Sequence, residues 1–532
     1  YDSTKGVGDF SSSVSTPSRI LSFFGRLNYN LMERYLLTVT FRADGSSKFA
    51  PSNRWGYFPA AALGWRMSEE AFLNDVDWLD NLKLRVSYGE VGNDGINSSL
   101  WSQNWEATSD KRYQGAVNGA FLPSYSLGAD MANKDLKWET TITRNIGVDF
   151  GFFNSRLTGT IDAYWNTTKD LLMKTAIPGI TGFTSTYANV GQTSNKGIEI
   201  ALQGVLVKTR DWNVTAGFNI NFNRGKVDKL ADNVTGLYGT EWATSSTFPK
   251  SDYVLKEGRP VGLVRGLTAD GFYTTDDFTY ANGVYTLKEG VADVSSAVFP
   301  NYHLHNGMNE RPAGQLAYPG MAKFKDLNDD GIINDDDVDV IGDMTPVHTG
   351  GFNINATYKN FDLGLYFNWS YGNEIYNVNK LAALYGYKEG AVYENKLSIV
   401  KDCYKIYDVV NGELVALTTP EQLNAANANA KLPLAYSENG YVSTLGIEDG
   451  SYLRLNTLTL GYTLPKSMLQ KAGISNLRVY GSIYNVFTIT GYSGIDAEVS
   501  TSTSTKTYPQ LGMDWGTYPR ARSFVLGVNL SF

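Results

Sequence analysis

The chain has 532 residues, with 19% charged and 13% aromatic side chains, 53 Gly and 34 Tyr. That balance sets aside a charge-rich helical protein and a disordered one. A net charge of -8 argues against a broad nucleic-acid footprint, so no nucleic-acid partner is expected. The single cysteine, Cys403, cannot close an internal disulfide, and three histidines (His303, His305, His348) are too few for the usual zinc patterns. No run of eighteen or more apolar residues marks a membrane helix, and the mean hydropathy is -0.26.

In chain order, segments of about ten residues alternate apolar with polar or small side chains, the length of a tilted strand crossing a bilayer. The first eight fall at 20–29, 35–42, 57–67, 82–91, 142–152, 157–166, 197–207 and 212–222. The next five fall at 350–358, 361–371, 451–462, 476–487 and 524–532. In the tenth, Phe361, Leu363, Leu365, Phe367, Trp369 and Tyr371 share one face against Asp362, Gly364, Asn368 and Ser370. In the eleventh, Leu453 and Leu455 are out of phase with Leu458, Leu460 and Tyr462, which predicts a bulge near Asn456 or a strand running past the membrane.

A soluble sandwich also alternates. Two features favour a membrane barrel instead: apolar faces that end in Tyr, Trp or Phe, and links that are short and long by turns. Short links lie at 30–34, 153–156, 208–211, Asn360 and 463–475; long ones at 92–141, 167–196, 223–349, 372–450 and 488–522. The expected fold is all-β, an antiparallel transmembrane β-barrel in the outer membrane with long extracellular loops. Residues 1–532 would form the C-terminal part of one barrel domain, with 223–349 and 372–450 as the largest surface loops. Thirteen strands that begin with an inward one leave residues 1–17 in an outer loop and predict at least one further strand upstream. Lys83, Arg85, Asp149, Asp162, Glu199 and Gln203 fall on the polar face and are expected to line a wet interior.

Within the 223–349 segment, Asp326, Asn328, Asp330, Ile332, Asn334 and Asp337 occupy positions 1, 3, 5, 7, 9 and 12 of a calcium loop. Oxygen donors at alternate positions can wrap one Ca²⁺, with Gly331 at the sharp turn, the Ile332 carbonyl as a ligand and Ile333 packing inward. A structural Ca²⁺ that stiffens a long loop is the expected cofactor; the plain alternative is a solvated acidic turn. His303 and His305 lack a third ligand. Trp101, Trp105, Tyr113, Tyr125, Trp242 and Trp515 lie in outer loops, where aromatic faces could stack on a ligand or partner, or pack the loops together. No phosphate loop, His-Glu-x-x-His or Gly-x-Ser-x-Gly pattern occurs, so no catalytic residue is assigned and an enzyme is not expected.

The ordered blocks Phe41-Arg-Ala-Asp-Gly-Ser-Ser-Lys-Phe49, Arg54-Trp-Gly-Tyr-Phe-Pro59, Tyr88-Gly-Glu-Val-Gly-Asn93, Lys137-Trp-Glu139, Tyr452-Leu-Arg-Leu-Asn456, Tyr484-Asn-Val-Phe487, Tyr518-Pro-Arg520 and a terminal Phe532 resemble SusC/RagA-type TonB-dependent transporters of Bacteroidota. The resemblance covers nearly the whole chain. It implies a 22-stranded barrel with an N-terminal plug, of which this sequence would be the last thirteen strands, the plug lying outside it. It further implies import of an oligosaccharide or peptide oligomer, a SusD-like lipoprotein lid, energy from the TonB-ExbB-ExbD complex through the plug, contact with outer-membrane lipid, and pairing of two transporter–lipoprotein units. A surface binding or adhesion barrel without active transport is the alternative from another class.

Overall fold

The computed structural model describes residues 18–532 apart from 104, 109–114, 118–119, 123, 129, 232–233, 244–246, 300–310, 385–396, 436–439, 470–472 and 502–509. Tyr113, His303 and His305 lie outside the described residues. Thirteen long strands stand where alternation places them: β1 (Ile20–Leu31), β2 (Tyr35–Ser46), β3 (Trp55–Arg66), β4 (Leu79–Asn93), β5 (Glu139–Phe152), β6 (Leu157–Lys169), β7 (Gln192–Lys208), β8 (Trp212–Lys229), β9 (His348–Tyr358), β10 (Phe361–Tyr371), β11 (Tyr452–Thr463), β12 (Asn476–Thr490) and β13 (Ser523–Ser531). Each is hydrogen-bonded to its neighbour in sequence, and the paired registers are antiparallel. No helix among the described residues is long and apolar enough to cross a membrane.

The chain divides into two units, 1–198 with 227–234, and 199–226 with 235–532. In the first, strands β1 to β6 form a meander. Its turns are tight enough to force left-handed backbone on ordinary residues: Met32 and Glu33 between β1 and β2, and Phe153, Asn154 and Ser155 between β5 and β6, all have φ between 55° and 60°. Its outer segments bury a small core of Phe49, Phe58, Ile96, Leu136 and Trp138, and the Trp138 indole donates to the Arg54 carbonyl at 2.8 Å.

In the second unit, β8 to β13 repeat the meander. The irregularity expected near Asn456 is present: Phe367 faces Leu455 and Tyr366 faces Thr457, so Asn456 is the extra residue. With it skipped, Leu453 and Leu455 rejoin the face of Leu458 and Leu460. The displaced Asn456 amide donates to Asn368 Oδ1 at 2.6 Å.

The apolar faces are on the outside. Leu526 is 89% exposed and Phe524 71% in β13, and on the corresponding face of β1 Phe23 is 61% and Leu27 60% exposed. A sandwich would bury such a face against a second sheet, whereas here the buried apolar side chains lie mainly in the loops.

Candidate functional site

On the polar face of the first unit, Gly147 of β5 lies opposite Asp162 on one neighbour and Arg85 on the other. The Arg85 guanidinium passes over it to reach Asp162 at 3.0 Å and also grips Asp149 at 2.7 Å, with the Lys83 ammonium 3.9 Å from Asp149. The second unit repeats the device. Arg478 of β12 reaches Asp362 of β10 at 2.8 Å, over Gly461 of β11. A Cβ at either glycine would fall within 2.7 Å of both partners of the bridge, which is why the middle strand has no side chain there. Lys83, Arg85, Asp149 and Asp162 thus stand on the polar face as expected. Glu199 and Gln203 are exposed on β7 of the second unit.

The long loops of the second unit are folded, not trailing. Residues from 248 to 333 and from 404 to 441 share one core, in which Tyr273, Tyr285, Tyr318, Phe324, Ile333 and Tyr441 are buried. Two of the tyrosines satisfy their hydroxyls from inside it: Tyr273 donates to the Ala292 carbonyl at 2.6 Å and Tyr285 to the Thr418 carbonyl at 3.1 Å. Burial pushes both phenols above their ordinary range. The Cys403 thiol beside this core is pushed up to about 11, first by burial and then by Asp402.

Segment 326–337 is a run of tight turns closed by its own acidic and amide side chains. Asp326 accepts from the amides of Asp330 and Gly331, Asp330 accepts from Ile332, and Asn334 accepts from Asp336. Gly331 has φ 83°. Ile333 is fully buried and pairs with Val294, while Ile332 is half exposed. Asp337 is also fully buried, its two oxygens accepting from Leu327 at 2.7 Å and Asn334 at 2.8 Å. The order of donors and the turns fit Ca²⁺. The acidic groups do not converge, for among the described residues no three His, Cys, Asp or Glu side chains are gathered as a metal site.

The aromatic candidates divide between the units. In the first, Trp101 is half-buried, while Trp105 and Tyr125 stand on one face of a hairpin formed by 105–108 and 124–127. They are 66% and 62% exposed, with Leu127 beside them at 44%. In the second, Trp242 packs on a buried cluster that includes Tyr253, Tyr376 and Met513, so it serves as loop core. Trp515 is 48% exposed, and its amide donates to Thr501 Oγ1 at 3.0 Å.

Three polar knots went unseen in the sequence. Asp252, fully buried, accepts from the amides of Glu241, Trp242 and Ala243; burial raises its carboxyl despite those bonds. Asp514 accepts from the Tyr492 hydroxyl at 2.6 Å and from Asn379 and Thr517. Arg454 and Arg520 clamp Asp496 and Glu498. Arg454 and Arg520 each sit in a recognisable block, but nothing local says that the two blocks meet.

A family profile described as TonB dependent receptor-like, beta-barrel matches residues 1–314. TonB-dependent receptor P3 of Formosa agariphila is 31% identical over 98% of this chain and 46% of its own length. TonB-dependent receptor SusC of Bacteroides thetaiotaomicron is 32% identical over 97% and 44%. The chain therefore spans about half the length of the curated relatives it matches. The structure described as the RagAB peptide transporter shares the fold, with a TM-score of 0.70 over 99% of this chain and 50% of that one, at 24% identity. With its exposed apolar strand faces and charged inner face, the chain belongs to the TonB-dependent receptor β-barrel family and is an outer-membrane protein similar to SusC.

Proposed function

We propose that the chain forms wall and surface loops of a 22-stranded, plugged importer that moves an oligomeric nutrient, a glycan or a peptide, across the outer membrane with energy from TonB-ExbB-ExbD. The observation that carries this reading is the folded loop body of the second unit, since an ordered core fixes surface loops in place as a binding surface requires. Similarity to the receptor SusC and to the RagAB peptide transporter supports it. A lumen wide enough for an oligomer must be plugged at rest, and opening it takes work from outside.

Capture would fall to exposed aromatic faces such as Trp105 and Tyr125, which suit sugar rings and peptide side chains alike. A SusD-like lipoprotein would close over them, and transporter–lipoprotein units would pair. Segment 326–337 would hold a structural Ca²⁺ through Asp326, Asn328, Asp330, the Ile332 carbonyl, Asn334 and Asp337. The cation would supply charge neutralisation that draws those oxygens together. No chemistry on the ligand is proposed.

The test is uptake of fluorescent oligosaccharide and peptide pools by cells that carry the full-length protein, with and without an uncoupler of the proton gradient. Accumulation that the uncoupler abolishes supports import. Binding that survives the uncoupler, with no label inside, would replace this reading by the surface-binding one. Trp105→Ala with Tyr125→Ala should weaken capture about tenfold, the loss of roughly one stacked contact of 1.4 kcal/mol.

A further inference from the structure

In β5 one cation sits on the outward, apolar face. In β5 the even residues look outward, as the 57% exposure of Ile146 shows, and Arg144 is among them. Its register partner is Tyr88 on β4, with Glu90 opposite Ile142 one step beyond. On the other side, Trp165 and Thr167 of β6 occupy the same outward face, Trp165 at 59% exposure. An arginine there costs most at the middle of a bilayer and least at its interfaces.

The side chain takes the second course. The Arg144 guanidinium lies over the Trp165 ring, 5.0 Å from its centroid, and donates to Thr167 Oγ1 at 3.4 Å. Thr167 is opposite Ile142, two residues from Arg144 along β5, so the stem runs over Ile142 toward the end of the strand that joins the long 94–138 segment. Ile142 is correspondingly 9% exposed, although it faces outward. This is a snorkelling arginine aimed at the extracellular interface. Tyr88, 41% exposed, completes an aromatic girdle with Trp165.

The neighbourhood is positive. Lys169 lies two residues past Thr167 on the same face of β6, and Lys196 is exposed on the adjoining β7, in phase with the outward Ile198. One acid, Glu90, shares the face, and its carboxylate is taken by the Tyr88 hydroxyl at 2.5 Å. Among the described residues the Arg144 guanidinium meets a hydroxyl and an aromatic face, not a carboxylate. A fork of N–H donors so placed lacks the planar anion it fits best.

We propose that Arg144, Lys169 and Lys196 form a docking site for the phosphate of a phosphorylated glycolipid in the outer leaflet, with Trp165 and Tyr88 against its sugar and upper acyl chains. The proposal rests on the outer-membrane placement and not on what the protein transports. The occupant is set by charge and depth: at the girdle of an outer-membrane wall, an anion that also presents acyl chains is a lipid headgroup. Such a lipid would give these interfacial cations the anion that their protein neighbours among the described residues do not supply.

The test is native mass spectrometry of the full-length protein in detergent, offered lipid A with its phosphates, the same lipid enzymatically dephosphorylated, and phosphatidylethanolamine. Wild type should retain phosphorylated lipid A over the other two. The triple variant Arg144→Gln, Lys169→Gln, Lys196→Gln should retain it at least about tenfold less, the loss expected for several headgroup contacts. Heat-modifiable migration confirms that the variant folds, and the double variant Lys169→Gln, Lys196→Gln keeps the test if the triple one does not. Equal retention by wild type and variant, or equal retention of dephosphorylated lipid, overturns the proposal. Full displacement by millimolar inorganic phosphate overturns it in favour of a free-anion site.

Discussion

Arg85 and Asp162 are joined at 3.0 Å although a whole strand lies between them, because the intervening residue, Gly147, has no side chain to obstruct the guanidinium. The same relationship holds for Arg478 and Asp362 across Gly461. Each bridge ties three strands through one arginine, a cross-strand contact that pairwise ladders do not supply.

Gly147→Val should therefore act as overpacking, since its Cβ would stand 2.4 Å from the Asp162 carboxylate and 2.7 Å from Arg85. The expected cost is about 1–3 kcal/mol. It is read as a lower temperature for loss of the heat-modifiable band, and Gly151→Val, whose nearest neighbour is at 3.5 Å, should cost less.

Arg454 and Asp496 are both about 5% exposed and pair directly, while Glu498 and Arg520 close the knot from the last outer segment. Asp496→Asn leaves Arg454 and Arg520 sharing the Glu498 carboxylate and should cost about 1–3 kcal/mol of local stability. Protease cleavage within 491–522 should rise. Arg454→Met combined with Asp496→Leu should recover much of the loss, and unchanged cleavage in the single variant would remove the knot's role.

Glu448 gives the loops an acid sensitivity. Burial raises its carboxyl, but hydrogen bonds from Ser493 and the charge of Lys380 outweigh that and hold it below its ordinary value of 4.5. A depressed carboxyl contributes stability that is present above the unfolded value and lost as pH falls through the folded one. Amide exchange at Ser493, whose N–H donates to Glu448, should accelerate between pH 5 and pH 3 beyond the intrinsic rate. Glu448→Gln should flatten that dependence.

If segment 326–337 holds Ca²⁺, removal with a chelator should expose it to protease, and added Ca²⁺ should restore protection. Asp326→Ala should abolish the response, since Asp326 also anchors the amides of Asp330 and Gly331. Identical cleavage with and without chelator would leave a solvated acidic turn.

The sequence by itself determined the wall. Thirteen strands, the face each residue takes and even the skipped Asn456 follow from a period of two, which is a local property and survives whatever the chain packs against. The turns within 326–334 were legible for the same reason, since Asp326 closes on Gly331 five residues on and Asp330 on Ile332 two residues on. The loop body was not legible. Only the tertiary structure decided that residues around Tyr273 and Tyr441 share a core, that Trp242 is packed while Trp105 is displayed, and that Arg454 meets Asp496. Such contacts join segments distant in sequence, Arg454 and Asp496 being 42 residues apart, and no period records which side chain will meet which.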